Sequence, residues 1–152
     1  MRVYTAITGA SSPQRVVDTV RSVIASGWDE IKGFIVAKAT GLAAQAGVPE
    51  ATKLAYRAGI PLIFMPTLKD AVDVIKPDHV VLITQWEDAE PLNRKVFDDN
   101  STVIIAVSGL DEDFPRQDLG LGKPFRIPGF RGRLGPAAEI ALAIYLIRKG
   151  RD

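Results

Sequence analysis

At 152 residues and 47% hydrophobic content, the chain is long enough to remove about two-thirds of its unfolded surface from water as one domain. It has no Cys and one His, which excludes a disulfide framework, a thiolate metal site, a cysteine nucleophile and a histidine-based metal cluster. A net charge of +1 argues against a wholly basic surface, no apolar run approaches the ~18 residues of a membrane span, and no signal peptide precedes the first strand, so the expectation is a soluble cytoplasmic protein.

Val3 to Thr8 is a β-branched and aromatic run closed by Gly9, which predicts a strand. Ser11-Ser12-Pro13 supplies a cap and a first-turn proline, and Val16, Val17, Val20, Val23 and Ile24 then recur at helical spacing as far as Gly27. Phe34 to Ala37 reads as a second strand and Pro49 to Ala58 as a second helix, stopped by Gly59. Pro61 to Met65 is a third strand whose proline sits at its start, where a missing donor is tolerated. A short helix covers Leu68 to Ile75, capped by Thr67 and ended by Pro77. His79 to Thr84 and Thr102 to Val107 are continuous apolar runs, the pattern of strands buried on both faces of a parallel sheet; His79 itself reads as an ordinary edge residue. Between them Glu90 to Asp98 reads as a short polar helix, and Ala137 to Lys149 is a final helix with Ile140, Ala141, Ile144, Ile147 and Arg148 on neighbouring turns.

This alternation specifies an α/β fold: an open, mostly parallel sheet of five or six strands with helices on both faces, in one domain over residues 1–152. Sheets of this kind bind ligands at the carboxyl ends of their strands, here Thr8-Gly9-Ala10, Lys38 to Gly41, Pro66-Thr67, Thr84-Gln85-Trp86 and Ser108-Gly109-Leu110. Acids gather at Glu87, Asp88 and Glu90 and at Asp111, Glu112 and Asp113, whereas no acid occurs from Leu119 to Ala138. Within that acid-free stretch, Gly129, Gly132 and Gly135 recur every third residue, Arg126, Arg131 and Arg133 punctuate it, and Pro136 starts the last helix. A helix start presents unpaired N–H groups, so this loop reads either as an anion or cofactor cradle or as a turn-rich connection. Gln85 and Trp86 either stack on a base or pack under the final helix.

Three short patterns resemble the SPOUT superfamily of knotted, S-adenosylmethionine-dependent RNA methyltransferases, in particular its ribose 2′-O branch. Pro13, Arg21 and Gly27 keep the register of that branch's first helix, with Arg15 where it has Asn. Val103 to Val107 followed by Ser108-Gly109-Leu110-Asp111 is similar to its Gly-Asn-Glu-Gly strand end. Ile127-Pro128-Gly129 and Arg133-Leu134-Gly135 stand for its Ile-Pro-Met and Ser-Leu-Asn.

The resemblance implies a C-terminal trefoil knot, an obligate homodimer through the first and last helices, and S-adenosylmethionine held by Ser108, Gly109, Leu110, Ile127, Pro128, Gly129 and Leu134. It implies methyl transfer to RNA, tRNA or rRNA, without a metal, and Arg21 and Arg133 as the catalytic candidates. Methyl transfer from a sulfonium needs no nucleophilic side chain, and an Arg serves it by lowering a hydroxyl pKa or gripping a phosphate. Two readings stand beside it: a non-catalytic RNA- or nucleotide-binding module of the same fold, and a flavodoxin-like domain holding a phosphorylated ligand at Gly129 to Gly135.

Overall fold

The computed structural model describes residues 1–149. In chain order it contains β1 (Arg2–Thr8), α1 (Pro13–Ser26), β2 (Ile31–Ala37), α2 (Val48–Arg57), β3 (Leu62–Met65), α3 (Leu68–Ile75), β4 (His79–Ile83), β5 (Glu90–Pro91), β6 (Thr102–Ser108), α4 (Arg116–Leu119), β7 (Lys123–Arg126) and α5 (Pro136–Lys149). One sheet takes all seven strands in the order β3-β2-β1-β6-β4-β7-β5, with every pair parallel. The expected open α/β sheet with helices on both faces is present; the strands beyond those expected are the short β7 and the two-residue β5 at one edge.

Alternation along each strand builds two cores. Val3, Ile7, Phe34, Val36, Val81, Ile83, Val103, Ile105 and Val107 face α1, α2 and α5. Ala6, Ile35, Ala37, Leu82, Ile104 and Ala106 face α3, Phe114 and Leu119. Both parities are apolar, and this explains why the central strands read as continuous runs: water reaches neither face.

Several local expectations need correction. The helix expected from Pro49 to Ala58 is preceded by a π-helical turn, Ala43–Gly47, so the chain coils well before the proline. Gly47 is required there, because a Cβ at that position would lie 2.9 Å from the Pro13 Cα at the start of α1. A glycine inside a helix thus marks close helix packing rather than a boundary. Glu90 to Asp98 is no helix; it forms β5 and a 3-10 turn, Arg94–Val96, pinned by the buried Arg94 guanidinium on Phe97 O and Asp99. Ser12 occupies the N-cap of α1 without a side-chain cap bond. Thr67 does cap α3, in a reciprocal capping box with Asp70. His79 lies on an internal strand, not an edge, and its ring meets Phe97 edge-on at 5.3 Å. In α5 the buried stripe is Ile140, Ala143, Ile144 and Ile147, while Ala141 and Arg148 are exposed.

Replacing Gly47 by Ala is expected to destabilise the protein by about 1–3 kcal/mol, since the new methyl overlaps a backbone atom that cannot rotate away. Urea unfolding of G47A checks this; an unchanged midpoint would show that α1 and the π-helical turn separate without cost.

Candidate functional site

From β1 the chain builds outward through β2 to β3, whereas β6, β4, β7 and β5 lie on its other side, so the direction of winding reverses between β1 and β6. At such a reversal the loops leaving neighbouring strands diverge and open a crevice at the carboxyl ends. Here those loops begin at Gly9 and Gly109, and Gly109 N donates to Thr8 O at 2.8 Å. A Cβ on Gly109 would stand 2.9 Å from both the Cα and the N of Ala10, so glycine permits the two backbones to cross this closely.

The segment after β7 folds back over these strand ends and is held at three points. Gln85, just beyond β4, accepts from Ile127 N at 2.8 Å and donates to the carbonyls of Ile127 and Phe130 at 3.2 Å each. Arg126 Nε donates to Ala89 O at 3.1 Å, and Leu92 N to Arg126 O at 3.0 Å. Arg133 then inserts its guanidinium under the loop that follows β6. Its Nη1 donates to Leu110 O at 2.8 Å, to Asp111 O at 3.0 Å and to Glu112 O; its Nη2 donates to Ser108 O at 3.2 Å and to Glu139 Oε1 at 3.1 Å. Asp113 Oδ1 lies 3.6 Å from Arg133 Nε, and its Oδ2 accepts from Trp86 Nε1 at 2.9 Å.

Glu139, in the first turn of α5, is fully buried. Burial pushes its carboxyl above the ordinary glutamate range, and the charge and hydrogen bond of Arg133 pull it partway back. One oxygen each of Glu139 and Asp113, together with Thr84 Oγ1, is buried without a hydrogen-bond partner.

The structure thus gathers Ser108, Leu110 and Arg133 at one place, with Ile127 on the adjoining loop. Ser108 Oγ donates to Glu112 O and accepts from Leu110 N, while Gly109 O accepts from Arg15 Nη1 at 2.8 Å. Ile127 is buried, Leu134 is half-buried, and Pro128 and Gly129 are exposed. Arg21 is not brought in: it is exposed on α1, two turns past Pro13, with no hydrogen bond or ion pair among the described residues. Trp86 is half-buried and its indole N–H donates to Asp113. Sequence reasoning missed Glu139 and Arg15. The signal for Glu139 was its place as the first acid after the acid-free stretch, at the head of an apolar helix.

The fold is similar to that of solved RNA methyltransferases. The AdoMet-bound rRNA methyltransferase from Sinorhizobium meliloti matches with a TM-score of 0.69 at 16% identity, over 97% of this chain and 56% of its own. The SpoU methyltransferase AviRb from Streptomyces viridochromogenes, in complex with the cofactor AdoMet, matches with a TM-score of 0.70 at 17% identity, over 99% of this chain and 60% of its own. The chain therefore spans little more than half of these neighbours, and at such identities the likeness is one of fold. Sequence comparison gives a different name. The model of the family described as RecB-family nuclease (DUF2122) matches residues 41–146. A "putative type II restriction enzyme" of Aeropyrum pernix is 33% identical over 99% of this chain and 95% of its own length. Another, of Methanocaldococcus jannaschii, is 31% identical over 83% of this chain and 84% of its own. The chain belongs to this DUF2122 family. The RNA methyltransferase activity expected from the resemblance is thereby corrected: the relatives that share the sequence carry nuclease and restriction-enzyme names, and the methyltransferases share the fold.

Truncating Arg133 to Ala strips four carbonyls and a buried carboxylate of their cation and is expected to cost about 3 kcal/mol, read by urea unfolding. The double variant Arg133→Leu, Glu139→Leu should lose less than the sum of its single changes, because the orphaned charge is gone; additive losses would show that the two side chains do not act as a pair.

Because the folded-state value of Glu139 is raised, its stabilising contribution is present in full below the ordinary glutamate range and is lost as pH rises through the folded value. Glu139→Gln should flatten that part of the stability profile; an unchanged slope above the ordinary glutamate range would assign it to another group.

Proposed function

We propose that this protein binds nucleic acid, RNA foremost, across the carboxyl-end face of its sheet. One observation carries the reading: Lys38, Arg116 and Arg131 are exposed around this face and take no acidic partner among the described residues, although the net charge is only +1. Asp111 on the same rim is engaged by Arg15, and the exposed acids beside these cations are Glu112 and, past the end of β4, Glu87 and Asp88. Cations arranged on a rim bind phosphates without demanding a high overall charge. The names of both sets of similar proteins support this, since nucleases and rRNA methyltransferases alike act on nucleic acid.

The backbone groups on which the resemblance placed S-adenosylmethionine are engaged inside the chain: Arg133 holds the carbonyls of Ser108 and Leu110, and Gln85 holds the amide of Ile127. A ligand using the Ile127 amide would compete with Gln85, while the carbonyls of Ser108 and Leu110 keep a second lone pair. Pairing of two copies belongs to the same proposal, over the groove between α1 and α5 where Ala25, Ala141 and Ile144 adjoin the 57%-exposed Tyr145.

Phosphodiester cleavage, the activity in the relatives' names, is a second reading, favoured by the unsatisfied buried oxygens of Asp113 and Glu139. Metal-assisted cleavage gathers several hard oxygen or imidazole donors about a divalent ion. Among the described residues no group of three or more His, Cys, Asp or Glu is placed to hold a metal, and Arg133 already stands between these two acids. The donor set does not fit such an ion.

Fluorescence anisotropy with a short unstructured RNA should show saturable binding at about 50 mM salt that weakens steeply as salt is raised. Arg131→Ala and Arg116→Ala should each reduce the logarithmic salt slope by about 0.7, the single-strand value per phosphate contact. Absence of saturable binding sinks the reading. Cleavage of the same RNA or a matched DNA on adding magnesium or manganese, abolished by Glu139→Gln, would establish the second reading in its place.

A further inference from the structure

Beyond Leu110, at the ends of β1 and β2, lies a recess of about 230 Å³ lined by Thr8, Lys38, Thr40, Leu110, Pro115 and Asp118. Asp118 belongs to the single-turn α4 and is 6% exposed, yet its carboxyl group takes no hydrogen bond and no ion pair among the described residues. Burial pushes the Asp118 carboxyl above the usual aspartate range, and the Lys38 charge, close enough to act but not in contact, draws it back. Unlike the unpaired oxygens of Asp113 and Glu139, those of Asp118 are not sealed within the protein, so the carboxylate opens to the recess.

Lys38 carries a second oddity. It has φ +52°, one of two non-glycine residues in the left-handed region among those described, immediately after β2. Strained backbone at a strand end is a recurrent mark of a binding position. The remaining polar groups of the wall are the hydroxyls of Thr8 and Thr40, which donate or accept as required.

Resting on the nucleic-acid reading above, we propose that this recess takes the ribose of a ribonucleotide with its adjoining phosphate, Asp118 accepting from the sugar hydroxyls and Lys38 holding the phosphate. An ionised carboxylate only accepts, so it selects a ligand rich in O–H donors; a lysine ammonium binds phosphate as a point charge. The volume admits a pentose ring. The 2′-hydroxyl is the group by which a protein distinguishes RNA from DNA, and Asp118 is placed to read it. The same chemistry is offered by an RNA chain and by a free mononucleotide.

The test measures binding of an RNA oligonucleotide, the DNA of the same sequence, adenosine 5′-monophosphate and its 2′-deoxy counterpart, to the wild-type chain and to Asp118→Ala, Asp118→Asn and Lys38→Asn. Asparagine tolerates the left-handed backbone at position 38, and Asp118→Asn keeps the shape of α4 should Asp118→Ala unfold it. The expected result is a wild-type preference for RNA over DNA of about tenfold, the size of a lost hydrogen bond to a charged group. Asp118→Ala should bring that ratio close to one, Asp118→Asn should reduce it in part, and Lys38→Asn should weaken RNA and DNA alike. Equal wild-type affinity for RNA and DNA, or an unchanged ratio in both Asp118 variants, overturns the recess assignment while nucleic-acid binding stands. If neither oligonucleotide binds but the ribonucleotide raises the melting temperature in an Asp118-dependent way over its deoxy counterpart, the recess assignment stands and the nucleic-acid reading falls. If no ligand binds, both fall.

Discussion

The guanidinium of Arg133 joins parts of the chain that secondary structure leaves unconnected. The loop after β6 turns away from the sheet with carbonyls that no strand pairs, and the first turn of α5 holds a buried glutamate. One planar cation answers both, donating to Ser108, Leu110, Asp111 and Glu112 on one side and to Glu139 on the other. A lysine could not do the same, because its point charge lacks the fork that reaches several acceptors at once. The position of the return segment, and hence the shape of the crevice at the winding reversal, follows from this contact and from the Gln85 clasp on Ile127 and Phe130.

Much of the sheet was legible because burial on both faces leaves a direct trace in sequence. The runs at His79 to Thr84 and Thr102 to Val107 hold apolar residues at both parities, and only a strand covered above and below tolerates that. What escaped was set by distant neighbours. Gly47 looks like a helix breaker until Pro13 is known to lie against it, and Glu90 to Asp98 looks helical until Arg126 and Phe125 offer its start a strand to pair with. Arg133 belongs to the same group. Its spacing from neighbouring glycines marked the loop as unusual but gave no sign that Glu139, six residues on, would take its charge.

Fold and family point to different chemistries, and the side chains decide how far each can be followed. The fold places a crevice where doubly wound sheets bind ligands, but backbone groups of Leu110 and Ile127, which matched the cofactor pattern by position, are taken by the side chains of Ser108, Arg133 and Gln85. The family name calls for hydrolysis, yet Asp113 and Glu139 face an arginine, and Asp111 faces Arg15. Acids bridged by guanidinium groups stabilise a loop; they do not gather a metal. What the two likenesses share is a polyanionic partner, and this is also what the unpaired cations of the rim suit.

Two buried carboxylates near the strand ends separate structure from function. Glu139 is fully enclosed, and Arg133 compensates its burial in part. Asp118 is nearly as enclosed and has no such partner, although Lys38 is within electrostatic reach. Lys38, in the left-handed backbone region, and Asp118 line one recess without forming an ion pair. A cost kept at a strand end, where ligands of this architecture bind, is more readily explained by what enters the gap than by what surrounds it. The proposed ribonucleotide recess therefore draws on Asp118 rather than on the arginine-rich turn that dominates the sequence.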